Sequence, residues 1–333
     1  MTVAVVIVNW NAGDLLRRCL ESLERQTRRP DKVVIVDNGS SDESLNSARH
    51  AIQALHTRLG AELIRLPENA GFARANNIAA RAAGQVDAFA LLNPDAFPEP
   101  AWLEALVAAA ERHPDVAAFA SQMRLDASPD RLDGAGDSYH VSGRAWRIGH
   151  RVSCTEWPAA DAEVFAPCAA AALYRREAFE EVGGFDEQFF CYFEDVDLGF
   201  RLRLRGHRCL YVHSAVVRHV SSASSGYRSD FAVYHGERNA VWTFVKNMPA
   251  PLFWVYLPQH LALNLAALLF YPMRAQGKAV WRAKIDALRG LPAVWRRRKR
   301  VQAVLHVDPW ALRRSMRVGI AVPYLRRYSD SRR

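Results

Sequence analysis

The sequence predicts an α/β fold with a doubly wound, mostly parallel central sheet, followed by a C-terminal helical tail. Three observations predict it. Short apolar runs alternate with amphipathic helical patterns as far as about residue 121, several of the runs end in Asn or Asp, and a charge-free apolar stretch followed by a basic segment occupies the end of the chain. With 333 residues, 50% hydrophobic and 24% charged, the chain can bury one large core or a core plus an appendage.

Val3–Asn9, Lys32–Asp37 and residues 62–66, 88–93 and 116–120 read as strands, their β-branched runs suiting a sheet covered on both faces. Between the first two, Leu15, Leu16, Cys19, Leu20 and Leu23 share one helical face, with Asp14 placed to cap it. Residues 124–163 carry Gly, Asp, Ser and Pro without sustained periodicity and read as irregular loops with a hairpin. A helix over residues 175–182 is stopped by Gly183 and Gly184; another is predicted over 194–205, strand material over 208–219, and a helix over 234–246. The resulting division is a domain over 1–245, with halves meeting at about 121–122, then a helical basic region over 246–333.

The five cysteines are scattered and odd in number, which indicates neither a disulfide framework nor a zinc site, and fits a reducing compartment. The apolar run at the N-terminus is too short for a signal-peptide core and reads as the first strand. A net charge of +9 raises the question of nucleic acid. The excess lies late in the chain, however, and no nucleic-acid-binding motif accompanies it, so nucleic acid is not an expected partner.

In sheets of this kind ligands bind beyond the carboxyl ends of the strands. Those ends carry Val8 and Asn9, Asp37 and Asn38, and Asn93 and Asp95. Each alone could be an ordinary turn residue; three pairs on one sheet edge point to a ligand. Asp42, shortly after, suits a helix cap. The segment Asn69-Ala70-Gly71-Phe72-Ala73-Arg74-Ala75-Asn76-Asn77 leads from a turn into a helix, and Gly71 permits close backbone approach. Later, Phe189-Phe190-Cys191-Tyr192-Phe193 runs directly into Glu194-Asp195-Val196-Asp197 at a helix start, where Asp197 and Arg201 are spaced to pair across one turn. His219 ends a strand before the small-residue run Ser221 to Gly226, and Arg238 and Asn239 lie on the last predicted helix of the domain.

These segments resemble the motifs of family-two glycosyltransferases with a GT-A fold, and among them the rhamnosyltransferase-like group, over residues 3–245. The resemblance implies that Asp37 hydrogen-bonds the pyrimidine of a nucleotide sugar, with Val8, Asn9, Asn38, Gly71, Asn76 and Asn93 around the donor and Arg238 near its phosphates. It implies that Asp95 and His219, with His213 as the rival, hold Mg2+ or Mn2+ beside the diphosphate; hard oxygen ligands suit such ions. Asn93 departs from the family's pattern of two acids, leaving Asp95 as the direct ligand. Asp195 corresponds to the family's base, with Glu194 as the alternative, because an attacking hydroxyl must lose its proton. The implied activity is inverting transfer of a sugar, L-rhamnose from dTDP-rhamnose, to a glycan or polyprenyl-linked acceptor in cell-surface polysaccharide synthesis. Another UDP or dTDP sugar with a soluble acceptor, or a non-catalytic nucleotide-sugar-binding protein, are the alternatives.

Between Lys246 and Arg274 the chain has no Asp, Glu, Lys or Arg, a length that would span a bilayer. Four prolines interrupt it, which favours an interfacial or re-entrant helix. Trp281, Trp295 and the run Arg296 to Arg300 then read as a headgroup-level anchor, placing the chain at the cytoplasmic face of an anionic membrane.

Overall fold

A computed structural model describes residues 1–221, 229–271 and 276–319. The first half runs β1 (Val3–Asn9), α1 (Leu15–Glu24), β2 (Lys32–Asp37), α2 (Ser44–Ser47), α3 (Arg49–Leu59), β3 (Glu62–Arg65), α4 (Phe72–Ala83), β4 (Ala88–Leu92), β5 (Ala96–Pro98) and α5 (Trp102–Arg112). The second half follows as β6 (Val116–Leu125), β7 (Ser128–Gly134), β8 (Asp137–Tyr139), β9 (Ala145–Arg147), β10 (Ala162–Glu163), β11 (Ala171–Arg175), α6 (Arg176–Glu181), α7 (Glu194–Leu204), β12 (Arg208–His219) and α8 (Asp230–Asn247). The tail contributes α9 (Ala250–Phe270), α10 (Gly277–Ala303) and α11 (Pro309–Arg313).

The main sheet has the order β10-β12-β6-β11-β4-β1-β2-β3. β4, β1, β2 and β3 are parallel, as expected from the alternation of strands and helices, and β12 is parallel to β6. β11 runs antiparallel to both β4 and β6 and joins the two parallel blocks. Side chains alternate across a strand, so Val3, Val5 and Ile7 pack with Leu16, Leu20 and Leu106 on one face. Ala4, Val6 and Val8 pack with Ala75, Ala79, Tyr174 and Leu198 on the other. This two-sided burial explains why β1 and β2 are almost continuously apolar.

The expectation that Asp14 caps α1 is not met. Asp14 is itself helical, and its carboxylate accepts from the Arg17 guanidinium at 2.6 and 2.7 Å instead of from a backbone N–H. Residues 124–163 hold more structure than their lack of periodicity suggested: β7 pairs with β6, and β8 with β9 as a hairpin. The strands are short and the β6–β7 register is interrupted, which removes the alternation that marks a strand.

The tail packs onto the second half through a core containing Tyr139, Phe165, Phe200, Phe244, Leu252, Val294 and Leu312. α10 lies so close to α8 that a Cβ on Gly290 would sit 2.6 Å from the Trp242 ring. Within the basic run, Arg298 is buried and donates to the Val245 and Met248 carbonyls at 2.8 and 2.6 Å, and Arg297 pairs with Asp186 at 2.8 Å. The reading of residues 296–300 as a single headgroup anchor is therefore corrected: Arg298 fixes the end of α8 and Arg297 the turn at Asp186, while Arg296, Lys299 and Arg300 remain exposed.

The final described segment pairs with the chain beyond β8. The Val141 N–H donates to the Arg317 carbonyl, the Arg317 N–H to that of Tyr139, and buried His140 binds the Gly319 carbonyl through Nε2 at 3.0 Å. Its Nδ1 accepts the Ser142 N–H at 3.1 Å, so the neutral ring is the one that fits. Burial lowers the His140 pKa from 6.5 to about 4. Stability is thus full above pH 6.5 and lost as pH falls towards 4, because the unfolded chain binds the proton first. His235 and His260 shift in the same direction. His140→Gln is expected to show a smaller fall in thermal midpoint across that window than the wild type; an equal fall would assign none of the acid sensitivity to His140.

Candidate active site

The predicted donor residues meet at the carboxyl ends of β1 and β2, where Asn9 lies opposite Asp37. Asn9 is buried, and its Nδ2 donates to Asp37 Oδ1 at 2.8 Å and Ser44 Oγ at 2.9 Å, while its own Oδ1 has no partner. Val8 is buried beside them. Asp42 accepts from the Ser44 N–H and hydroxyl, and so serves the first turn of α2. Asn38 exchanges hydrogen bonds with the loop before α4, donating to Asn69 Oδ1 and accepting from the Ala70 N–H, both at 2.9 Å.

Gly71 adopts a φ of +87°, and a Cβ there would lie 2.6 Å from the Phe190 ring. The loop at Gly71 is thereby pressed onto the aromatic segment ahead of the acids, and the Ala73 N–H donates to the Phe190 carbonyl at 3.1 Å. Asn76 donates to the Phe72 carbonyl within its own helix, and Asn77 exchanges hydrogen bonds with the Phe185 backbone. Asn93 follows β4, and its N–H donates to the Ala170 carbonyl at 2.8 Å.

The predicted metal residues come together. β5 pairs with the end of β12, setting His219 against Ala96, and the Val220 N–H donates to the Asp95 carbonyl. His219 Nε2 is buried 3.3 Å from Asp95 Oδ1 and outside hydrogen-bond geometry. Its Nδ1 is 2.7 Å from Asp133 Oδ2. Burial pulls the ring's pKa down, but Asp95 and Asp133 outweigh it and push it up to about 9. His213 bonds to Gln122 at 3.0 Å instead. Residues 222–226 of the predicted Ser/Gly loop lie outside the described residues.

The acids open α7. Asp195 Oδ1 accepts from the Val196 N–H at 2.8 Å and Oδ2 from the Ala169 N–H at 3.2 Å. Burial raises its pKa, while these two N–H groups and Arg147 oppose the rise. Glu194 is raised well above the carboxylate range by burial and then by Asp195, and its Oε2 is buried without a partner. Asp137, whose carboxylate lies within 4.8 Å of those of Asp195 and the Cys168 thiol, is pushed up to about 8, by burial and then by Asp195. Arg147 provides the counter-charge to Asp137 and Asp195. Asp197 pairs with Arg201 at 2.8 Å, as its spacing predicts.

The segment leading into α7 is held in an unusual conformation. Phe190, Tyr192 and Phe193 have φ values of 68°, 66° and 67°, a region that costs a residue with a side chain on the order of 1–3 kcal/mol. Asn239 compensates: its buried Nδ2 reaches the carbonyls of Phe189, Cys191 and Tyr192 at 3.0, 3.0 and 2.7 Å. Arg238, expected near phosphate, instead donates to the Phe189 carbonyl and to Asn239, and lies 4.3 Å over Trp242. The Arg-Asn pair is thus a clamp on the aromatic segment.

Residues 4–183 match the sequence model of glycosyl transferase family 2. The chain belongs to that family. A relative from Mycobacterium tuberculosis, named N-acetylglucosaminyl-diphospho-decaprenol L-rhamnosyltransferase, is 31% identical over 75% of this chain and 87% of its own. The O-antigen chain rhamnosyltransferase RfbN of Salmonella typhimurium is 26% identical over 66% of each chain. Among solved structures, a mannosyltransferase from Pyrobaculum calidifontis in complex with GDP-Man and Mn2+ superposes with a TM-score of 0.55 over 86% of both chains, at 18% identity. GalNAc-T7 with UDP, GalNAc and Mn2+ gives a TM-score of 0.62 over 79% of this chain and 51% of that one, at 19% identity. The protein is a glycosyltransferase with a GT-A-like fold.

Sequence reasoning missed several members of this family-2 site. Asp133, Asp137 and Arg147 come from the stretch whose lack of periodicity hid it, and among its many other polar residues no signal marked them. Asn239 was identified only by resemblance, beside Arg238. Its replacement leaves carbonyls of a strained segment without a donor, so Asn239→Ala is expected to lower the unfolding free energy by about 2–3 kcal/mol, read from urea denaturation. A loss under about 0.5 kcal/mol, the level of an ordinary surface change, would mean that the segment holds its conformation without the clamp.

Proposed function

We propose that this glycosyltransferase moves L-rhamnose from dTDP-L-rhamnose, with inversion, onto a polyprenyl-diphosphate-linked glycan at the cytoplasmic face of a membrane. The activities of the two rhamnosyltransferase relatives support the sugar, and that of the Mycobacterium tuberculosis relative supports the lipid-linked acceptor. The observation that carries the mechanism is the contrast among the three buried acids. Closely spaced carboxylates cannot all ionise, and only Asp195 has two backbone N–H groups to stabilise its anion. Burial and the neighbouring Asp195 disfavour the Asp137 anion, and Glu194 Oε2 is orphaned. Asp195 is thus the carboxylate that ionises and takes the proton as the acceptor hydroxyl attacks the anomeric carbon. The attacking oxygen forms the new glycosidic bond as the bond to the diphosphate breaks, and no covalent enzyme intermediate is required.

A divalent cation fits beside the donor. Asp95 offers a hard oxygen and His219 a buried, unsatisfied Nε2 facing it, a donor pair suited to Mn2+ or Mg2+. Such an ion, when bound, neutralises the diphosphate leaving group. In this reading Asp37, with Asn9 and Asn38, receives the nucleotide base, and the loop at Gly71 lies against the donor. Asp195→Asn is expected to reduce turnover of dTDP-rhamnose with a GlcNAc-diphosphoryl-polyprenol acceptor by about 10²-fold or more, with donor affinity little changed. Near-normal turnover would remove Asp195 from the role of base.

The tail supports a membrane surface. α9 is long and apolar enough to cross a bilayer, and only 17% of its most apolar window is buried. Yet His260, near its middle, stacks on Phe244 at 4.0 Å and bonds the Ser142 carbonyl, tying the helix to the catalytic half, as an interfacial helix would be. On α10, exposed Trp281, Ile285, Leu288 and Trp295 form one stripe, and Arg282, Arg289 and Arg296 follow beside it at heptad spacing. An apolar stripe edged by basic residues suits the headgroup level of an anionic leaflet, where each basic residue contributes about 1 kcal/mol. Replacing Arg282, Arg289, Arg296, Lys299 and Arg300 by Gln is expected to lower binding to phosphatidylglycerol-containing vesicles at low salt, sparing hydrolysis of free dTDP-rhamnose. Undiminished vesicle binding would assign the basic stripe another partner.

A further inference from the structure

We infer that Asp133 is the positioning residue of the cation site, fixing His219 so that Nε2, and not Nδ1, meets the metal beside Asp95. This rests on the proposed metal reading of that site. Asp133 ends β7, a strand from the stretch that showed no periodicity in the sequence, and its side chain is fully buried. Its carboxylate gathers groups from several segments. Oδ2 binds His219 Nδ1 at 2.7 Å and the Arg147 guanidinium, and Oδ1 accepts from the Ser221 hydroxyl at 2.8 Å. The His150 ring lies 3.5 Å from Oδ1 and binds the Asp133 carbonyl at 2.9 Å, so the residue is held by backbone and side chain together.

An ionised carboxylate is an acceptor only. Facing Nδ1, it requires a proton there, which leaves Nε2 to supply the lone pair that a metal needs. It also fixes the ring plane, since rotation about the Cβ–Cγ bond would break the 2.7 Å contact that aims Nε2 at Asp95. Arg147 makes the carboxylate itself immobile: the guanidinium binds both Asp133 and the Ser221 hydroxyl. An outer carboxylate of this kind typically changes metal affinity by about 10- to 100-fold when removed. A purely structural Asp133–Arg147 ion pair would have no reason to act through His219.

The test is a titration of Mn2+ into the full-length protein with dTDP present, for the wild type, Asp133→Asn, His219→Ala and the double variant. Asn can donate to Nδ1 and thereby favour the wrong tautomer. Asp133→Asn is expected to weaken Mn2+ binding by about 10- to 100-fold. The double variant should bind no more weakly than His219→Ala alone, because the two residues act as one unit. Losses that add up, or unchanged affinity in Asp133→Asn beside a weak His219→Ala, would overturn the inference while leaving the metal reading intact. Absence of Mn2+ binding by the wild type would overturn both. Should Asp133→Asn fail to fold, proton–nitrogen correlation spectra of the histidine-labelled wild type saturated with Mg2+ and dTDP decide the matter. A His219 protonated at Nδ1 is expected, and one protonated at Nε2 contradicts the assignment.

Discussion

The buried ion pair between Asp197 and Lys246 is the constraint on which the placement of the acids depends. Lys246 Nζ lies 2.8 Å from Asp197 Oδ1, and neither side chain is appreciably exposed. Arg201 and the Asn247 amide complete the shell of Asp197, each at 2.8 Å. Three carboxyl groups in the first turn of α7 would repel one another without such compensation. Losing one partner of a buried pair typically costs about 3–5 kcal/mol, because the other charge is left stranded. Lys246 also reaches Asp186 at 2.6 Å, which in turn holds Arg297 of α10. One chain of charges therefore ties α7 to α8, to the turn before the aromatic segment and to the tail.

That chain explains why a strained segment can persist next to it. The φ > 0 conformations of Phe190, Tyr192 and Phe193 turn the backbone sharply enough to start α7 with its acids facing inward. They are maintained from one side by Asn239 and from the other by the loop at Gly71, where only a glycine leaves space for the Phe190 ring. The loop at Gly71 and the segment leading into α7 are thus in contact at Phe190, although they lie far apart in sequence. Packing against the Phe190 ring and the Ala73 N–H bond to the Phe190 carbonyl couple the two backbones.

What was legible in the sequence follows from how each part is buried. β1 and β2 have long apolar runs because helices cover both sheet faces, and the expected boundaries of β1, β2 and β12 agree with the structure residue by residue. The strand-end polar residues could be found because the fold class says where to look. Asp133, Asp137 and Arg147 could not: β7 is polar along its exposed first residues, β8 and β9 are three residues each, and the β6–β7 register shifts twice. Strands as short as β8 and β9 carry too few residues to show a period, and the shifted register of β7 breaks its own. The basic run at 296–300 was misread for the opposite reason. A charge run looks uniform in sequence, but helical geometry turns Arg297 and Arg298 inward and their neighbours outward.

The antiparallel strand β11 settles how the loop bearing Asp95 and the start of α7 are spaced. It enters between two parallel blocks, so the turn before it, at Cys168 to Ala170, lies at the carboxyl end of β4. There the Ala170 carbonyl accepts the Asn93 N–H at 2.8 Å, and the neighbouring Ala169 N–H donates to Asp195 at 3.2 Å. Two adjacent peptide groups thereby join the loop bearing Asp95 to the carboxylate of Asp195. Side chains at these positions contribute little to that link, and both are alanines that are almost fully buried. A larger residue at either would separate the two loops rather than fill space. The spacing of the loop bearing Asp95 and the start of α7 is therefore set by backbone contacts. In the proposed reaction that rigidity would hold the reacting groups in a fixed orientation.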